Sequence, residues 1–225
     1  MATKEDSIAR FVKQQIRKWE IGTAEKELEP QARIPVITVS MEPGSGGSLV
    51  AQAVADRLGF DYFHRGIIQG IAKSAKIRAS VIDTLEKERL SGIEDFIASL
   101  YKEQYLYPGI YMEHLLKVVN TIADHGRAVI VGRGANFILP PEKRFSVRVV
   151  APLEIRIQNV ARTYKVPSEK ARKRVIERES RRSAFIRQSY DADIADPENY
   201  DLTINTGGMR IESAVEAVIA AVKSL

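Results

Sequence analysis

The 225-residue chain has no cysteine, which excludes disulfides, thiolate metal sites and cysteine nucleophiles. Histidine is nearly as scarce. His64, His114 and His125 are the only three, and they stand too far apart in sequence to suggest a histidine metal cluster. No stretch approaches the ~18 consecutive apolar residues of a membrane span. The opening residues, MATKEDSIAR, include acidic side chains and no apolar core. A secretory leader and a membrane role are therefore not expected, and a cytoplasmic location is. There is no internal repeat and no low-complexity tract.

What remains is the composition of a soluble globular protein, 44% hydrophobic and 28% charged, long enough for one α/β domain with an appendage. The net charge is +5. Much of the arginine lies between residues 144 and 187, which points to a local anion site rather than a uniformly basic coat. No nucleic-acid-binding motif accompanies it, so nucleic acid is not an expected partner.

Ile8, Phe11, Val12, Ile16 and Trp19 draw one apolar stripe on a helix over 6–20, with Asp6 or Ser7 as N-cap. Residues 1–33 read as this helix plus a polar linker, packing back on the domain or on a second copy in a homodimer. From residue 34 strands and helices alternate. β-rich runs at 34–40, 60–63, 128–132, 145–151 and 201–205 predict a mostly parallel sheet covered on both faces. A helix over about 47–58 buries Val50, Val54 and Leu58 and stops at Gly59. Residues 66–126 carry helical signals only, broken by a tyrosine-rich segment with Tyr101, Tyr105, Tyr107 and Tyr111. These tyrosines suit either the core of a helical insertion or the wall of a base pocket. Residues 153–187 are helical and strongly basic.

The segment MEPGSGGSL at 41–49 follows the first strand and opens the first helix of the alternating region. Gly44, Gly46 and Gly47 let consecutive N–H groups turn inward, and the helix adds its positive N-terminal dipole, which together make a phosphate cradle. Against the P-loop pattern G-x-x-x-x-G-K-[ST], Ser48 holds the place of the Mg²⁺-binding hydroxyl, Gly47 stands for the lysine and Met41 for the first glycine. Gly44-Ser45-Gly46 fits a dinucleotide fingerprint less well. The basic face carrying Arg174, Arg178 and Arg181, with Arg182 alongside and Arg187 further on, offers replacement cations, because guanidinium forks match phosphate oxygens. The competing reading of that face is a solvated helix with Glu177 and Glu179 as internal partners. Arg133 ends an apolar strand between two glycines, at the sheet edge where open α/β sheets bind ligands.

In order along the chain, ITVSMEPGSGGSLVAQAVADRLGFDYFHRG, VIVGRGANFIL and DLTINTGGM resemble the cytidylate kinase-like family of P-loop kinases over about residues 34–225. That resemblance implies a three-layer P-loop kinase fold built on a five-stranded parallel sheet. It also implies a helical acceptor region at about 60–126 and a lid at about 153–190. The implied reaction moves the γ-phosphoryl group of ATP, with Mg²⁺, to a nucleoside monophosphate such as CMP. Gly44, Ser45, Gly46 and Ser48 match the parent loop, Ser48 as the metal-facing hydroxyl, and Gly47 replaces its lysine. Arg133 matches an arginine that holds the acceptor phosphate, while Gly134 replaces the aspartate after it. His64, beside Arg65, replaces an aspartate at the start of the acceptor region. In the lid Arg178, Glu179 and Ser183 align with the parent pattern. Arg182 stands where a cytosine-reading aspartate would be, and Phe185 replaces an arginine, with Arg187 two residues on. The expected activity is a nucleotide kinase. The alternative is a nucleotide-binding regulatory protein that has lost catalysis.

Overall fold

Runs of valine, isoleucine and phenylalanine build the sheet of the computed structural model, which describes residues 3–25, 36–85, 87–102 and 109–225. The strands are β1 (Val36–Met41), β2 (Asp61–Phe63), β3 (Ala128–Val131), β4 (Phe145–Val150) and β5 (Leu202–Asn205), each within a residue or two of its sequence-based span. They form one five-stranded sheet in the order β2-β3-β1-β4-β5, and every pairing is parallel. Ile37 sits between Val129 and Phe145 in this register.

The helices are α1 (Lys4–Glu25), α2 (Gly47–Leu58), α3 (Arg65–Lys73), α4 (Ala75–Ile82), α5 (Lys87–Lys102), α6 (Ile110–His125), α7 (Ala135–Ile138), α8 (Leu153–Tyr164), α9 (Ser168–Tyr190) and α10 (Ile211–Lys223). Successive strand residues face opposite layers. Val36 and Ile130 join Ile68, Leu115 and Ile122 on one side. Ile37, Val39, Val129 and Val147 join Val54 of α2 and Val218 of α10 on the other. The result is a three-layer α/β fold, as the alternation of strand and helix signals predicts. In α2, Val50, Ala51, Val54 and Ala55 are buried, and the helix ends on Gly59 in the left-handed conformation.

The apolar stripe of α1 is used within the chain. Ile8, Val12 and Trp19 enter the same core as Phe63 and Leu115. The Trp19 ring lies parallel to that of His125, 4.0 Å away, and Lys18 pairs with Asp61 at 3.0 Å. The helix starts earlier than an Asp6 or Ser7 cap would allow. Thr3 Oγ1 accepts from the Asp6 N–H at 3.1 Å, and the Asp6 carboxylate accepts from the Thr3 N–H at 2.8 Å. This reciprocal arrangement is a capping box. The linker after residue 25, together with Tyr105 and Tyr107 and the Tyr101 side chain, lies outside the described residues. The basic segment 153–187 is a hairpin of α8 and α9 with its own small core of Ile157, Val160, Ala171 and Val175. Among the described residues no helix is long and apolar enough to cross a membrane.

Candidate active site

The loop between β1 and α2 is shaped by backbone conformation and by outward-turned carbonyls. Gly44 and Gly46 have φ of +86° and +79°, values that side-chain-bearing residues rarely adopt. Asn159 Nδ2 donates to the Gly44 carbonyl at 2.9 Å, and Thr206 Oγ1 donates to the Ser45 carbonyl at 2.6 Å. Ser45 itself is buried, its hydroxyl donating to the Glu42 carbonyl at 2.9 Å. With the carbonyls held away, the N–H groups of Gly44, Gly46 and Ser48 make no hydrogen bond among the described residues. Three open N–H groups at the start of a twelve-residue helix form an anion cradle. Thr206 belongs to the NTGGM segment that follows β5 and thereby borders the loop.

Gly47, at the place of the lysine, packs over Met41, at the place of the first glycine. A Cβ at position 47 would lie 2.6 Å from the Met41 Cβ and 3.0 Å from its Sδ. The two departures from the P-loop pattern are thus one packing event, and a lysine does not fit at 47 while Met41 is present.

Beside the loop lies a cavity of about 510 Å³ bounded by the ends of β1 and β3, the start of α3 and the long helix α9. Arg65, Arg133, Arg178, Arg181 and Arg182 line it, and among the described residues no carboxylate does. Arg182 Nη1 donates to the Met41 carbonyl at 2.5 Å. Burial first, and then the guanidinium groups of Arg65, Arg148, Arg178 and Arg133, pull the Arg182 pKa down to about 10. It stays charged at neutral pH, and the four neighbouring guanidinium groups add a positive potential that an anion would relieve. Burial, followed by Arg133, likewise lowers the pKa of Arg65.

Arg133 is held in a strained conformation. It has φ +60° between Gly132 and Gly134, both also left-handed, a placement that costs a non-glycine residue on the order of 1 kcal/mol or more. Tyr190 Oη donates to the Arg133 carbonyl at 2.8 Å, Arg133 Nη1 reaches Tyr111 Oη at 3.4 Å, and its guanidinium lies 4.9 Å from the Phe185 ring centroid. Arg133 Nε is buried with no hydrogen-bond partner among the described residues.

The other predicted site residues divide. Ser48 is exposed on the first turn of α2, and Tyr62 Oη donates to its carbonyl at 3.5 Å. His64 caps α3, its Nδ1 accepting from the Gly66 N–H at 3.0 Å. It does not line the cavity, and neither do Ser183 and Arg187, whose positions on α9 turn them away from the wall that Arg178, Arg182 and Phe185 provide. Arg174 sits over Tyr164, 4.3 Å from the ring centroid, with Arg178 over the same ring at 5.4 Å. Of the lid carboxylates, Glu177 lies 3.9 Å from Arg181. Glu179 instead lies 3.2 Å from the buried Arg156, which also pairs with Glu42 of the loop at 3.3 Å. This loop–lid tie joins residues far apart in sequence and carries no local signal. Asp193 and Asp196 accept backbone N–H groups of Ala195 and Glu198, and among the described residues no cluster of three or more acidic or histidine side chains stands ready for a metal.

A family model described as the cytidylate kinase-like family matches residues 36–208. The chain belongs to the cytidylate kinase-like family. The cytidylate kinase of Desulfurococcus amylolyticus is 31% identical over 183 residues, spanning 81% of this chain and 89% of that one. That of Aeropyrum pernix is 25% identical over 182 residues, spanning 80% and 95%. Among solved structures, an uncharacterized protein from Eubacterium ventriosum matches with a TM-score of 0.59 at 19% identity, over 84% of this chain and 99% of that chain. That likeness concerns the fold alone. This member of the cytidylate kinase-like family thus keeps the cradle geometry and gathers arginine beside it.

Proposed function

We propose that the chain transfers a phosphoryl group from ATP to a nucleoside monophosphate or a related small phosphorylated acceptor. The observation that carries this reading is the adjacency of two anion sites: the open N–H groups of Gly44, Gly46 and Ser48, and the five-arginine cavity that begins at Met41. One suits the phosphate chain of a donor and the other the phosphate of an acceptor. Family membership and relatives named cytidylate kinases point the same way.

An acceptor phosphate oxygen forms the new bond to the γ-phosphorus, the bond to the β–γ bridging oxygen breaks, and its electron pair leaves with ADP. A phosphate dianion needs no base to remove a proton, so a cavity lined by arginine is adequate for the chemistry, which asks the protein for position and positive charge. Arg133 and Arg65 hold the acceptor phosphate, while Arg178 and Arg182 lie on the lid side, where negative charge is to be shared between the two substrates. Mg²⁺ carried on the ATP phosphates would neutralise developing charge, and Ser48, exposed at the start of α2, is the residue whose hydroxyl would hold it. Among the described residues nothing acidic lines the cavity to read an exocyclic amine, so base selectivity for cytosine is expected to be weak.

The test is ADP formation from ATP and Mg²⁺ with CMP, UMP, dCMP, AMP and GMP in turn. Turnover with at least one acceptor is expected. ATP binding without turnover on any of them overturns the reading in favour of a nucleotide-binding regulatory protein.

A further inference from the structure

The lysine missing from the loop leaves a specific deficit: no side chain from residue 47 can reach the phosphates. The same residue that fills the space above Gly47 also holds a replacement. Met41 places its side chain where a residue-47 Cβ would lie, and its carbonyl accepts from Arg182 of the lid helix. Arg172 and Arg178, also on α9, hydrogen-bond elsewhere, to Glu154 and Tyr164. Arg182 is therefore the lid arginine fastened to the first residue of the loop.

We propose that Arg182 is the phosphate-contacting cation of the donor site, standing in from the lid for the lysine that residue 47 lacks, and that Met41 is the residue that makes the exchange possible. This rests on the phosphotransferase reading above for its catalytic consequence, but not for its binding consequence. One of the five N–H donors of a guanidinium satisfies the Met41 carbonyl, and the rest of the fork remains for phosphate oxygens. The group lines the cavity while bonded to the loop, so it stands at the boundary between the two anion sites, where the transferred phosphoryl group must pass. A cation borne on the lid also differs from one borne on the loop. It is in place only while α9 is docked, so donor binding and lid position become linked. The Glu42–Arg156–Glu179 chain fastens the same two elements a second time.

A contact to the acceptor's base, the role the family resemblance gives to this position, is the natural competitor. A purely structural prop for the Met41 carbonyl is another. Binding of Mg²⁺-ATP and of CMP, measured separately on wild type, Arg182→Ala and Arg182→Lys, separates these three. For Arg182→Ala the expected result is at least a tenfold loss of ATP affinity, a clearly smaller loss of CMP affinity, and a melting temperature lowered by no more than the loss of one hydrogen bond explains. Arg182→Lys is expected to retain part of the ATP affinity. Turnover in Arg182→Ala should fall about a thousandfold or more, within the range that single arginines contribute to phosphoryl transfer. Adding Met41→Gly and Gly47→Lys together to Arg182→Ala should recover most of the lost ATP affinity. ATP affinity within twofold of wild type in Arg182→Ala overturns the proposal. So does a loss confined to CMP, or an equal loss for both ligands accompanied by a lowered melting temperature. If wild type binds ATP but transfers nothing while Arg182→Ala binds it tenfold more weakly, the phosphotransferase reading fails and the donor-site role of Arg182 stands.

Discussion

Gly47 and Met41 are packed so closely that a Cβ on residue 47 would stand 2.6 Å from the Met41 Cβ, with the Val149 Cβ 3.1 Å away on another side. Restoring the P-loop lysine alone therefore overpacks the loop. Gly47→Ala and Gly47→Lys should each lower stability by about 1–3 kcal/mol, the usual penalty for forcing atoms into a filled core. Met41→Gly added to either should return most of that loss. Urea midpoints of the two single variants and the two double variants check the coupling. Additive effects would show that the two positions are independent.

Arg156 is buried between Glu42 of the loop and Glu179 of α9. Arg156→Met leaves two carboxylates facing each other without their cation. The expected loss is about 3 kcal/mol, the low end of the range for breaking a buried pair, because Glu179 is 37% exposed and regains water. Replacing Glu179 with glutamine should cost less than Arg156→Met for the same reason. Equilibrium unfolding of both variants provides the comparison.

The hydroxyl of Tyr190 supports the left-handed Arg133 by donating to its carbonyl at 2.8 Å. Burial raises the pKa of this phenol far above its ordinary value, so the bond is kept throughout the accessible pH range. Tyr190→Phe should lower stability by about 1 kcal/mol, the net worth of one buried hydrogen bond. It should also weaken acceptor binding if Arg133 holds the acceptor phosphate. Isothermal titration with CMP, alongside thermal melting, reports both effects.

His114 offers a pH handle on α6. Its Nδ1 lies 2.9 Å from Arg78 Nη1, and burial, then the Arg78 charge, depresses its pKa below 6.5. A base with a depressed folded-state pKa binds fewer protons folded than unfolded in the window just below 6.5. Stability is therefore complete above about pH 6.5 and declines as the pH falls through that value. His114→Gln should flatten the fall between pH 7 and pH 5.5 in a series of urea midpoints. An unchanged slope would assign the fall to other groups.

The sheet was readable because each strand is a short β-branched run bounded by glycine or polar residues, and parallel strands buried on both faces need no alternation to be recognised. The loop was readable because its glycines sit between such a strand and an amphipathic helix. Arg65 and Arg133, which line the cavity, stand at strand-to-helix junctions that the sequence marks. Arg187 and Ser183 do not line the cavity; a long basic helix offers several faces, and docking against the end of β1 turns the one with Arg178 and Arg182 to it. The partnership of Arg182 with the Met41 carbonyl, 141 residues away, had no local periodicity to announce it, and neither did the Glu42–Arg156–Glu179 chain. The Thr3–Asp6 capping box did carry a signal, Thr-x-x-Asp ahead of an apolar stripe, and marks the true start of α1.

The fate of the γ-phosphoryl group is the most direct test of the central claim. ³¹P NMR of the protein with ATP, Mg²⁺ and CMP or another nucleoside monophosphate follows donor and acceptor in one spectrum. ADP and a new nucleoside diphosphate should appear in equal amounts, with transfer lost in Arg133→Ala. An unchanged ATP spectrum across all acceptors, or release of inorganic phosphate alone, would contradict a phosphotransferase.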